Sequence, residues 1–260
     1  MPLRREKDSH KGENGKVAVI GGSVFQHGAP LFSALAAEAM GVDLIFVALP
    51  AEHEEVARMQ SLNFQVHPFQ EDELTEEDVE PILEMLATID CAVIGPGLAR
   101  DAATLKAMKQ VIRSASCGLV LDASALQPWT LETLSGKNAV VTPHLGELER
   151  MGIALEEIGS KAKETGIVIH AKGPMDRIAR TDGTIQEVTG GNAGLTVGGT
   201  GDALAGCIAG LIARGMERAD ACILASKLIK RCGEELAKER ATYTTRDVIA
   251  RIPLALKSLT

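Results

Sequence analysis

An α/β domain built on a largely parallel sheet is what this sequence predicts, and three features predict it. Short β-branched runs alternate with Ala- and Leu-rich segments. The runs are apolar almost throughout, as strands covered on both faces are. Polar or glycine-rich stretches fall just after the runs, where loops lead from strand ends into helices. A fourth feature adds an antiparallel edge: Asp182-Gly183, between the stretches 177–180 and 184–188, reads as a hairpin turn.

Taken in order, the first strand is 16–20, followed by Gly21-Gly22-Ser23. The segment 30–40 reads as a helix, with Pro30 near its start and Gly41 just past its end. Further strands are expected at 44–48, 91–94, 118–121, 139–141 and 166–171. Their following turns are distinctive: Gly95-Pro96-Gly97, Asp122-Ala123-Ser124, Thr142-Pro143-His144-Leu145-Gly146-Glu147 and Lys172-Gly173. One helix is expected to run to about 213 and another over 218–238, and a last one follows Thr244-Thr245-Arg246-Asp247, which has capping-box spacing. The acidic run 71–80 reads as a solvated helix face or loop. With no repeat, low-complexity linker or composition break, residues 1–260 read as a single domain.

The composition bounds the function. Aromatic residues make up 3% of the 260 residues, so Ala, Val, Ile and Leu must build the core. A net charge of −8 argues against nucleic-acid and anionic-membrane surfaces, so any anionic ligand must be held by local geometry. Cys91, Cys117, Cys207, Cys222 and Cys232 form no Cys-x-x-Cys pair and read as buried thiols in a reducing compartment. The charged start is unlike a secretory signal, and no apolar run has the length of a membrane span, so a cytoplasmic protein is expected.

The stretch from Gly191 to Asp202 carries the most chemical information. It sets five glycines (Gly191, Gly194, Gly198, Gly199, Gly201) before an Ala- and Leu-rich helix and places Asp202 at the helix start. Glycines expose backbone N–H groups, and a helix start adds its positive dipole end, which together make an anion site. A carboxylate beside such a site has a use as the base that takes a proton from a hydroxyl being phosphorylated. The plainer reading, a glycine turn with an Asp that favours a helix N-terminus, accounts poorly for so many glycines.

Other strand ends carry alternatives. His144, stiffened by Pro143, is either a surface loop residue or part of the site. Lys172 reaches a nucleotide phosphate or snorkels at a strand end. Glu147 organises Mg²⁺ through water or caps a nearby helix. The P-loop, dinucleotide-fold, zinc-hydrolase and serine-hydrolase motifs are all absent from the sequence.

In this order and spacing, the chain resembles the ADP/ATP-dependent NAD(P)H-hydrate dehydratases. The resemblance runs through His10-Lys11-Gly12, 17–23, Gly28-Ala29-Pro30, Gly95-Pro96-Gly97-Leu98, Thr142-Pro143-His144 with Gly146-Glu147, Lys172-Gly173 and 192–202, and closes on Thr245-Arg246-Asp247 through Pro253. It implies a ribokinase-like three-layer αβα sandwich without a lid hairpin, and repair of hydrated NADH or NADPH by phosphorylation of the added hydroxyl and loss of phosphate. It further implies that Ala29, Gly97, His144 and Asp202 contact the hydrated cofactor, with Asp202 as the base. ADP or ATP would lie along Lys172, Gly173, Pro174, Met175 and Asp176 and against Gly199, Thr200 and Gly201. Mg²⁺ would bridge its phosphates, with Glu147 helping indirectly, and the assembly would be a homotetramer.

Three departures stand beside the resemblance. Pro174-Met175-Asp176 replaces the family's small residue and Thr, which puts a carboxylate beside the expected nucleotide. Ser124 replaces the second Asp of the family's Asp-Ala-Asp, and no epimerase partner domain is seen. Two other functions are therefore weighed: a kinase of a small hydroxylated metabolite or vitamin precursor, and a nucleotide-binding protein without catalysis.

Overall fold

The computed structural model describes residues 5 and 7–259; residues 1–4, 6 and 260, including part of the charged start read above, lie outside the described residues. Nine strands form one sheet: β1 (Lys16–Ile20), β2 (Leu44–Leu49), β3 (Phe64–Pro68), β4 (Cys91–Ile94), β5 (Gly118–Leu121), β6 (Ala139–Val141), β7 (Val168–Ala171), β8 (Asp176–Ala179) and β9 (Ile185–Val188). Their order is β3-β2-β1-β4-β5-β6-β7-β8-β9. Pairing is parallel from β3 through β7 and antiparallel at β8 and β9.

Side chains that alternate along each strand feed two cores. Val17, Val19, Val93, Val120 and Val168 face one core; Ala18, Ile20, Ile94, Leu121 and Ile169 face the other. On the first face pack α1 (Gly28–Ala39), α8 (Thr200–Ala213), α9 (Arg218–Glu239) and α10 (Thr245–Leu259). The second carries α3 (Val79–Leu86), α4 (Ala102–Ser114) and α7 (Ile158–Thr165), and this gives the expected three layers. The short α2 (Glu54–Gln60), α5 (Thr130–Leu134) and α6 (Leu145–Arg150) complete the helices used below.

Helices α1 and α8 approach closely enough to require Gly206, where a Cβ would lie 2.0 Å from the Ser33 carbonyl oxygen. At α10 the capping box is formed: Thr244 N donates to Asp247 Oδ2 at 2.7 Å and Asp247 N to Thr244 Oγ1 at 3.4 Å.

Several boundaries differ from expectation for identifiable reasons. The strand placed at 166–171 begins only at Val168, because Gly166, at φ +72°, ends α7 in the left-handed conformation. The hairpin strands start one residue away from 177 and 184, and Arg180 N donates to Thr184 O at 2.8 Å to close the turn. Strand β3 is absent from the sequence reading. It pairs only with β2 and exposes Gln65, His67 and Pro68, so it lacks the continuous apolar run of a central strand.

The acidic run 71–80 is a mostly solvated loop and helix start, with Glu71, Asp72, Glu76, Glu77 and Glu80 exposed, and two of its members depart from that reading. Asp78 is buried and accepts from Gln70 N at 2.7 Å and Thr75 N at 2.8 Å. Glu73 accepts from Val24 N at 3.2 Å, so two of the carboxylates hold loop backbone rather than face water.

Candidate active site

At the start of α8, Thr200 N donates to Val197 O at 3.4 Å, while Gly201 N and Asp202 N have no partner among the described residues. The helix N-cap, Gly199, has φ +95°, and a Cβ there would meet Phe32 Cδ2 at 2.4 Å, so only glycine fits. From α10, Thr245 Oγ1 donates to Gly198 O at 2.7 Å and fixes the preceding turn. A helix cannot satisfy its own first N–H groups, and its dipole favours an anion there.

Asp202 lies in that first turn, and its backbone oxygen accepts from Ser33 Oγ of α1 at 2.9 Å. Burial, the negative charge of Asp122 and that of Glu147 push its carboxyl up to about 8, against the opposing pull of Lys172. A base with a pKa near the working pH is well matched to proton transfer.

Lys172 is the cationic centre of this group. Its Nζ lies 2.6 Å from Asp122 Oδ1 and 3.8 Å from Glu147 Oε2. Burial works against its charge, and the carboxylates of Asp122, Glu147 and Asp202 outweigh it, so the ammonium is held above the ordinary lysine range. Thr142 Oγ1 donates to the same Asp122 oxygen at 2.8 Å. The loops that follow β6 and β7 are also joined through the backbone, with Lys172 N donating to Pro143 O at 2.8 Å.

His144 is the N-cap of α6. Its Nδ1 accepts from Glu147 N at 3.1 Å, while His144 N donates to Glu147 Oε2 at 2.9 Å. A neutral His144 so arranged carries its proton on Nε2, which lies 3.5 Å from Glu147 Oε1. Glu147 thus acts as a cap, one of the two roles the sequence left open.

Ala29 and Gly97 meet at the ends of β1 and β4. The strand order reverses between β1 and β4, and in open α/β sheets ligands gather at such a switch point. There Gly22 N donates to Pro96 O at 2.8 Å, and a Cβ on Gly97 would lie 3.2 Å from Ala29 Cβ. Ser124 is buried and stitches this region together, donating to Leu98 O at 2.6 Å and accepting from Arg100 Nε at 3.3 Å. The Ser124 departure is thereby a loop contact.

A cavity of about 600 Å³ adjoins Gly201 and is lined by Lys172, Gly173, Pro174, Asp176, Thr200 and Gly201, together with Gly190–Ala193, Leu195, Thr196, Leu204, Ser226, Ile229 and Lys230. Six of the eight residues expected along the nucleotide are brought together there; Met175 and Gly199 do not line it. Asp176 does not project as a free carboxylate toward a ligand. It is buried, accepts from Gly173 N at 2.9 Å and Ser226 Oγ at 2.6 Å, and those hydrogen bonds with the nearby His170 overcome burial to hold it below the usual carboxylate range. An open concavity of about 720 Å³ beside Arg177, Arg180 and Glu187 is larger, and it lies apart from the glycine turn.

Asp122 is the site residue that sequence reasoning did not select, although its turn stood out. Its neighbour Ala123 has φ +52°, the only positive value at a non-glycine among the described residues, and such strain collects at functional sites. No spacing rule links Asp122 to Lys172, fifty positions away, so only the paired strands reveal their contact.

Comparison with known proteins agrees with this geometry. The profile of the NAD(P)H-hydrate dehydratases matches residues 17–254. The ADP-dependent (S)-NAD(P)H-hydrate dehydratase of Cenarchaeum symbiosum is 36% identical over 99% of this chain and 93% of its own. A Bacillus subtilis ADP/ATP-dependent NAD(P)H-hydrate dehydratase, co-crystallised with ATP/Mg²⁺, superposes with a TM-score of 0.84 at 26% identity, covering 99% of this chain and 94% of that one. A ribokinase-like superfamily protein of Enterococcus faecalis has the same TM-score, 0.84, and 26% identity, over 98% of this chain and 91% of that one. On the sequence match over nearly its whole length and on its three-layer ribokinase-like fold, this chain belongs to the NAD(P)H-hydrate dehydratase family.

Proposed function

We propose that this protein repairs hydrated NADH and NADPH, using ADP or ATP to dehydrate the (S)-hydrate back to the reduced cofactor. The observation that carries the reading is Asp202: a carboxyl held near 8, in the first turn of a helix whose start is an open anion site beside a 600 Å³ cavity.

The hydrate sits at the switch point between Ala29 and Gly97 on one side and His144 and Asp202 on the other. His144 offers an Nε2–H donor whose direction is fixed by the α6 cap. Asp202 takes the proton of the added hydroxyl as its oxygen bonds to the terminal phosphorus of the nucleotide and the nucleotide's bridging P–O bond breaks. The N–H groups around Gly199, Thr200 and Gly201 stabilise the transferring phosphoryl group. Phosphate then leaves with the hydroxyl oxygen, the neighbouring ring carbon gives up a proton, and the ring double bond is restored.

The nucleotide lies in the cavity lined by Lys172, Gly173, Pro174 and Asp176. Among the described residues no three His, Cys, Asp or Glu side chains converge as a metal cage. That suits Mg²⁺, which keeps waters and is carried chiefly by substrate phosphates. Glu147 is the carboxylate to reach it through water, and the ion would neutralise charge on the phosphates.

Five free cysteines, with Cys117 pushed up to about 11 and Cys232 to about 12 by burial, suit a reducing cytoplasm. No helix among the described residues is long and apolar enough to cross a membrane. Exposed Met59 and Leu62 supply apolar surface for the homotetramer that we propose as the assembly.

The test is to incubate the protein with hydrated NADH, Mg²⁺ and either ADP or ATP, following reduced-nicotinamide absorbance and phosphate release together. Nucleotide-dependent recovery with equal phosphate release is expected. A phosphorylated product that accumulates without recovery would identify a kinase instead.

A further inference from the structure

We propose that Lys230 and Asp176 form a buried clasp that positions the Gly173-Pro174 turn for nucleotide binding. The proposal rests on the nucleotide reading of the 600 Å³ cavity and adds two positioning residues to it.

Lys230 lies on α9 and is 7% exposed, rare for a lysine unless it is paired. Its Nζ donates to Pro174 O at 3.0 Å and Gly173 O at 3.3 Å, and lies 3.7 Å from Asp176 Oδ2. Asp176 holds the same turn from the other side, accepting from Gly173 N at 2.9 Å. Ser226, one helical turn before Lys230, donates to Asp176 Oδ2 at 2.6 Å and fixes the carboxylate. The two charges therefore grip both the N–H and the carbonyls of one short turn that follows Lys172.

The stem of Lys230 reaches the opposite lip of the cavity. A Cβ on Gly191, at φ +78°, would lie 3.3 Å from Lys230 Cγ, and one on Gly190 would lie 3.8 Å from Lys230 Cβ. A single side chain thus spans the Gly173-Pro174 turn and the Gly190-Gly191 turn, between which the nucleotide would lie. His170 completes the floor. It is fully buried, with Nε2 3.4 Å from Asp176 Oδ2 but so directed that neither ring nitrogen makes a hydrogen bond. Its contact with Asp176 favours the ionised carboxylate, and Lys230 stands on the other side as the group that also holds the turn's carbonyls.

A clasp and a merely structural ion pair differ in what a double variant does. Removing one partner of a buried pair strands the other charge, whereas removing both lifts that penalty. Lys230→Met, Asp176→Asn and the double variant are to be compared in the full-length protein by calorimetric titration with ADP and Mg²⁺, by steady-state kinetics and by Tm. Lys230→Met is expected to weaken ADP binding about tenfold or more, to raise nucleotide KM more than it lowers kcat, and to shift hydrate KM by no more than about twofold. The double variant is expected to regain Tm but not ADP affinity, because the turn's carbonyls still lack their ammonium. If ADP affinity returns together with Tm, or if Lys230→Met binds ADP within about twofold of wild type, the clasp is wrong while the nucleotide reading stands. If the wild-type protein itself binds no ADP, the nucleotide reading falls and takes the clasp with it.

Discussion

Lys172 Nζ is hydrogen-bonded to Asp122 Oδ1 at 2.6 Å, and after burial, the largest cause, these two opposite charges act on Asp202. Lys172 opposes the upward shift of Asp202, whereas Asp122 adds to it. Burial, with the charges of Asp122 and Glu147, outweighs the pull of Lys172, and Asp202 is pushed up to about 8.

Asp202→Asn is expected to lower kcat by about 10²–10⁴-fold, the usual share of a positioned general base. Nucleotide affinity should change no more than a few-fold, since only the proton acceptor is lost. Turnover and ADP titration on one preparation check this, and turnover within a few-fold of wild type would remove Asp202 from the base role.

Gly201→Val is expected to abolish phosphate-dependent nucleotide binding. A Cβ there already lies 3.3 Å from Lys172 Nζ, and the two further methyls of valine would enter the anion site. Comparing ADP with adenosine by titration isolates the phosphate contribution. Unchanged ADP binding would place the phosphates elsewhere.

Asp122→Asn is expected to move the acidic limb of the activity profile to lower pH. It removes a negative charge that raises Asp202 and releases Lys172 toward it, and both effects favour the ionised carboxyl. The kcat/KM profile against pH reads this directly, and a profile superimposable on wild type would contradict the coupling.

Asp202 also makes stability depend on pH with a defined sign. Its folded pKa, about 8, lies above the ordinary 3.8, so between those values the folded protein holds a proton that the unfolded chain has lost. Stability therefore falls as pH rises through that window. Asp202→Asn removes the cost, so its Tm should match wild type near pH 4 and exceed it increasingly toward pH 8. Each kcal/mol regained reads as about 2–4 °C in a domain of this size. A Tm difference independent of pH would argue against the raised pKa.

Gly206→Ala tests the framework rather than the chemistry. The added Cβ would lie 2.0 Å from Ser33 O, so α1 and α8 must part. The expected loss is about 1–3 kcal/mol in denaturant unfolding. Because Ser33 Oγ also holds the Asp202 backbone, activity should drop alongside it.

The sequence by itself determined the layered α/β fold, most strand positions and the glycine turn leading to Asp202. Those features are local: apolar runs, a helix cap and glycines next to one another in the chain announce themselves through backbone preference and burial pattern. It could not determine the partners of buried charge. Asp176 read as a carboxylate facing a nucleotide, and the structure turns it inward onto Gly173, Ser226 and His170. Ser124 read as a missing acid and is a buried loop contact. Strand β3 passed unnoticed because an edge strand with one covered face carries too weak a pattern. Which side chains meet across fifty residues depends on strand order and helix packing, and the energy of a buried charge depends on who it meets. Tertiary structure alone decided that Lys172 pairs with Asp122, and that burial and these charges together raise Asp202.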